Sequence, residues 1–168
     1  VIEPGEYRET IAVSAIMPRN QDGEIRLDPW AESCKGKQTD VSAPGKYIYT
    51  AYKLDPQRID PDPKFGNLLR LAAQGNLYKF GGATSQATVH VASAAAMWRS
   101  YYRDMLKHEF YNLPKNRHRI VEAFRFALYR SMNTPAHWTA KTKNQFKGVL
   151  NAEKLLSPEY APARAECK

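Results

Sequence analysis

No histidine occurs before His90, and the 168 residues hold only four in all. A histidine base placed early in the chain is therefore excluded. Cysteines are as scarce: Cys34 and Cys167 are too few for a disulfide scaffold. They pair with each other, pair outside the sequence or stay free, so they leave the redox compartment open. No apolar run approaches the roughly 18 residues of a membrane-spanning helix. No basic-then-apolar stretch opens the chain as a signal peptide would. The first residue is Val1 rather than Met, and the expectation is a processed product or part of a longer protein. Internal repeats, low-complexity tracts and clusters of His, Cys, Asp or Glu at metal-ligand spacing are missing too, so no metal and no cofactor are expected.

What is present points to a packed domain. The length suits one domain, and a hydrophobic fraction of 43% supports a core rather than disorder. Lys and Arg outnumber Asp and Glu by 25 to 17, a formal net charge of +8. Such a balance attracts polyanions. Yet the basic groups Lys115–Arg119 and Lys141–Lys147 carry few interleaved aromatics. They read as solvated faces, not as a nucleic-acid groove. Neither nucleic acid nor membrane is an expected partner, and a nucleic-acid binder is the weakest of the readings the charge permits.

The first half reads as strands and turns. Thr10–Ile16 is short, apolar and partly β-branched, which predicts a buried strand. Asn20–Gly23 follows as a turn. Asp40–Ser42 predicts a second short strand, ended by Ala43-Pro44-Gly45, and Tyr47–Tyr52 a third. Asp55-Pro56, Asp60-Pro61 and Asp62-Pro63 then mark a surface loop, because proline restricts both itself and its predecessor. Its acidic residues, alternating with proline, read as solvated loop rather than as a calcium site. Phe65–Gln74 holds at most one short helix.

The second half is helical. From Thr84 to Lys107 there is neither Gly nor Pro, and Ala87, Val89, Val91, Ala92 and Ala94–Trp98 lie on every side of a helix. A helix apolar all round is a buried helix. A second helix is predicted from Lys115 to Met132, closed by Asn133-Thr134-Pro135. A strand over Phe146–Leu150 and a short helix over Ala152–Leu156 complete the core. Strands alternating with helices predict an α/β fold with a largely parallel sheet.

The chemistry gathers at Gly81-Gly82-Ala83-Thr84-Ser85-Gln86-Ala87. A glycine-rich turn runs straight into the buried helix, with a serine at its start. Helix N-termini offer unpaired backbone N–H groups and partial positive charge, which stabilise an oxyanion forming beside such a serine. The plainer alternative makes Thr84 or Ser85 a helix N-cap and nothing more.

The stretch Thr84-Ser85, Ala87 and His90-Val91-Ala92 resembles the serine motif of the subtilase family. Three further stretches agree with that family in order: Tyr7–Ala15, Ser33–Gly36 with Asp40–Gly45, and Gly148–Ala152. The resemblance covers residues 1 to about 156. It implies a subtilisin-like three-layer α/β fold, of which this chain is the C-terminal portion, with residues 55–76 an insertion and 157–168 a tail. It implies a serine endopeptidase that works through an acyl-enzyme on Ser85. Gly82, Ala83 and Thr84 would bind substrate, and the Ser85 backbone N–H would sit in the oxyanion hole. The expected partners are a peptide or protein substrate, the N-terminal portion of the same domain, and a second copy through self-association. The setting implied is secreted or periplasmic.

Departures from the family pattern accompany the match. Ala83 stands in place of glycine, Gln86 of methionine, Val89 of proline and Ser93 of glycine. More importantly, a serine hydroxyl is a weak nucleophile without a base, and in the family the chain order is Asp, His, Ser. Both partners would lie upstream of Val1. His90 cannot substitute, because five residues on one helix leave it about 140° from Ser85 around the axis. His108, His118 and His137 read as surface histidines. The alternative function is therefore an inactive subtilase-like binding or interaction module.

Overall fold

The structure is a computed structural model that describes residues 10–51, 78–107, 113, 116 and 119–162. Strand β1 (Val13–Gln21) turns back on itself through Asp22 and Gly23 into β2 (Glu24–Pro29). Both turn residues take positive φ, 55° and 84°, the geometry of a two-residue hairpin turn whose twist matches the strands. The Asn20 carboxamide oxygen accepts the Gly23 N–H at 3.2 Å. Strand β3 (Val41–Pro44) then lies parallel to β1 on its other side, Val13 opposite Val41, giving the order β2-β1-β3. Val149 adds a parallel bridge beyond Ser42 and an antiparallel one to Asn133. A separate ladder pairs β4 (Ile48–Ala51) with β5 (Tyr78–Gly81), antiparallel.

Helices α1 (Thr84–Tyr101), α2 (Arg103–Leu106), α3 (Arg119–Ser131), α4 (Ala140–Gln145) and α5 (Ala152–Leu155) follow, with a 3₁₀ turn at Pro158–Tyr160. The sheet is covered on both faces, because side chains alternate along a strand. Ala15, Val41 and Ala43 pack against Ala87, Val91, Ala94 and Trp98 of α1 and against Phe124 and Leu128 of α3. Ile16 faces the other way and packs with Trp138, Phe146 and Val149. A small sheet packed with helices is consistent with the expected α/β class.

A buried carboxylate ties the layers together. Asp40 Oδ2 accepts the Ala12 N–H at 2.8 Å, while the Tyr129 hydroxyl of α3 donates to its other oxygen. Arg125, one turn earlier on α3, donates to the Thr10 carbonyl. Ser14 and Ser42 share a buried hydroxyl–hydroxyl hydrogen bond of 2.7 Å between β1 and β3.

Four expectations need correction. Among the described residues the sheet is mixed rather than largely parallel, because the Asp22-Gly23 turn closes a hairpin. The long helix breaks at Tyr102, where the backbone leaves helical geometry at φ −94° and ψ 20°. The helix before that break is buried along one face only: Val89 is 63% and Met97 50% exposed. The strand expected over Phe146–Leu150 reduces to the single bridged residue Val149. The proline-rich loop and its short helix lie outside the described residues, as do His108, His118 and Cys167. Cys34 is exposed and free.

Candidate active site

The β4–β5 ladder delivers the chain to the start of α1, since Ile48 pairs with Gly81. The β3–β4 turn runs underneath. A Cβ on Gly45 would lie 2.9 Å from the Ala83 carbonyl oxygen and 2.5 Å from the Ala15 Cβ. One on Gly82 would lie 2.8 Å from the Lys46 side chain. Glycine at both positions lets two backbone segments touch, which fixes Gly82-Ala83 over Gly45-Lys46.

The helix begins on an extended Ala83, φ −163° and ψ 164°, whose methyl group offers no cap. Thr84 and Ser85 are the first two residues inside α1, so neither is the N-cap. Thr88 donates its hydroxyl back to the Thr84 carbonyl at 3.0 Å. The first turn carries no acidic residue. Among the described residues the Ser85 hydroxyl, which is exposed, makes no hydrogen bond. At the helix start the Gln86 N–H reaches the Ala83 carbonyl at 3.2 Å, whereas the N–H groups of Thr84 and Ser85 take no backbone partner among the described residues. An exposed serine at the positive end of an 18-residue helix, beside N–H groups with no backbone partner among the described residues, is suited to hold an oxyanion.

No described histidine serves that hydroxyl. His90 donates its Nδ1–H to the Gln86 carbonyl at 2.8 Å, one turn back along its own helix. His137 holds Asp28 at 3.0 Å, and Arg19 meets the other oxygen of the same carboxylate at 3.3 Å. Among the described residues no group of three His, Cys, Asp or Glu side chains is placed to hold a metal ion.

The pattern of the Subtilase family matches residues 1–152. The chain belongs to the subtilase family. This subtilase is also similar in structure to fervidolysin from Fervidobacterium pennivorans, described as a keratinolytic enzyme related to subtilisin. The TM-score is 0.55 at 18% identity, over 92% of this chain. The likeness establishes a subtilisin-like fold. The chain spans 20% of the length of that relative. A comparison with curated proteins returned no match.

Of the residues named from the sequence, Thr84 and Ser85 open α1, Gly82 and Ala83 precede it, and Ser85 is exposed. Sequence reasoning missed Gly45 and Lys46, which form the floor under Gly82. Their signal was the Pro44-Gly45 pair, read as the end of a strand and as part of the family resemblance, but not as part of the site.

Proposed function

We propose that this subtilase chain carries the nucleophile of a serine endopeptidase, and that Ser85 forms the acyl-enzyme. The observation that carries the reading is the Ser85 hydroxyl: exposed, free of any capping bond, at the N-terminus of α1. In this reading the substrate backbone lies along Gly82-Ala83-Thr84. Ser85 Oγ attacks the scissile carbonyl carbon, and its proton passes to a histidine base. The carbonyl oxygen, now an oxyanion, takes hydrogen bonds from the Ser85 N–H and helix start. The base returns the proton to the leaving amine, and water then releases the acyl group.

Histidine and its orienting aspartate come from a portion of the domain that precedes these residues. Two features support such a partner. Pairing of β1 with β2 starts only at Ile16, so the edge of Ile11 and Val13 opposite β3 has no strand beside it among the described residues. Next to that edge runs an apolar groove of about 380 Å³ lined by Val91, Ala95, Trp98, Ile120 and Phe124. A parallel strand with apolar side chains would complete both. A secreted setting accompanies this reading. No described helix is long and apolar enough to cross a membrane.

The alternative, an inactive binding module, is favoured by the absence of any described base at Ser85. A fluorophosphonate probe and intact mass measurement on the full-length protein separate the two. A single adduct on this chain that disappears in Ser85→Ala supports the enzyme. No adduct on the assembled protein leaves the binding module.

A further inference from the structure

Lys46 is the residue that neither fold nor nucleophile explains. It sits under Gly82, close enough that a Cβ there would strike its stem. Its ammonium lies 5.0 Å from the centre of the Trp30 ring and 5.9 Å from that of Tyr47. Cations over aromatic faces in this way are held in place. No carboxylate of the described residues pairs with it, although Arg19, Arg26, Arg103, Lys107 and Lys147 all have acidic neighbours. Lys46 is half-buried, so its stem is fixed while its charge stays available.

Tyr47 adds a second sign of design. It takes φ 58°, a conformation that costs a bulky residue of order 1–3 kcal/mol, and yet the residue is 59% exposed. Burial does not offset that strain. What the conformation achieves is to set the ring 5.9 Å from the Lys46 ammonium, which also lies 5.0 Å from the Trp30 ring. The result is a positively charged aromatic wall beside Gly82, with no acidic residue in the first turn of α1 to cancel it.

We infer that Lys46, held against Trp30 and Tyr47, is a specificity residue that selects peptides carrying a carboxylate side chain near the segment bound at Gly82–Ser85. The inference rests on reading that segment as the floor of a peptide cleft. The carboxylate meets the ammonium at the rim while the neighbouring backbone runs over Gly82. The aromatic rings exclude water from one side of the pair and hold the cation where an extended peptide passes. A neutral side chain at the same place leaves the ammonium solvated and gains nothing.

The test reads binding, so that it stands apart from turnover. Dansyl-labelled octapeptides of Ala and Gly, each with one Asp or one Asn at successive positions, are titrated against the full-length protein carrying Ser85→Ala. At one position Asp should bind about five-fold more tightly than Asn, the size of an exposed ion pair, and added salt should shrink the difference. Lys46→Met should remove the preference and Lys46→Arg should keep it, with melting curves showing that both variants fold. Equal binding of Asp and Asn at every position, or a preference that survives Lys46→Met, overturns the inference. A Ser85 that resists fluorophosphonate while the Asp preference holds would overturn the enzyme reading alone.

Discussion

Gly45 lies directly beneath the Ala83 carbonyl, with 2.9 Å between that oxygen and the place a Cβ would occupy. The neighbour on that side is backbone and cannot rotate away, and Ala15 and Ala87 close the remaining directions at 2.5 and 3.3 Å. Gly45→Ala therefore has to push the helix start off β1. Overpacking of this kind costs about 1–3 kcal/mol. Urea unfolding should show that loss, and the rate of fluorophosphonate labelling at Ser85 should fall with it, because the Ala83–Ser85 backbone moves. Wild-type stability in Gly45→Ala would mean that the two segments separate freely.

Much of this was legible from residues alone, and the remainder fails for stated reasons. The turn at Asn20–Gly23 and the serine at a helix start follow from local chemistry. Strand β2 carried a usable signal in the alternation of Glu24, Ile25, Arg26, Leu27 and Asp28, but its charges masked it. Strand β5 was out of reach, since its partner Ile48–Ala51 lies across residues 52–77 and the pairing is wholly non-local. The reading of α1 as covered on all sides followed from composition. The structure shows cover only where β1, β3 and α3 supply it. The contact of Lys46 with Gly82 depends on three-dimensional closure and leaves no trace in spacing.

The N-cap of α1 yields a second prediction. Ala83 already has the extended backbone that a capping residue adopts, but its side chain accepts no hydrogen bond. Ala83→Ser should supply an acceptor for a first-turn N–H and stabilise the protein by about 1 kcal/mol. It should also slow labelling of Ser85, because the new hydroxyl competes for the N–H groups that would hold the oxyanion. A denaturant midpoint that does not rise would show that these groups are already satisfied.

His90 offers a third. Its Nδ1–H is committed to the Gln86 carbonyl, a turn of its own helix. His90→Gln should therefore leave the pH dependence of Ser85 labelling unchanged, with stability altered by no more than about 1 kcal/mol, the net worth of one such bond. Loss of an ionisation from the pH profile in that variant would make His90 the base and refute the need for an upstream histidine.

The last prediction concerns alkaline pH. Burial first, and then the hydrogen bond to the Asp40 carboxylate and its charge, push the Tyr129 phenol well above its ordinary value; Arg125 opposes them. Once the unfolded phenol begins to ionise near pH 10, the folded protein still holds its proton, so the unfolded state binds fewer protons and stability falls as pH rises. The contribution is complete below about pH 10 and is lost progressively toward the raised folded value. Tyr129→Phe removes this titration along with the hydrogen bond. The variant should melt lower than wild type at pH 8, because Asp40 loses a donor and keeps the Ala12 N–H and, at 3.9 Å, the Lys147 ammonium. The gap between the two melting curves should then narrow from pH 10 upward, since only the wild type carries the penalty of ionising this phenol. A gap that stays constant across that range would mean that Tyr129 titrates alike in both states, and that its bond to Asp40 does not hold the proton.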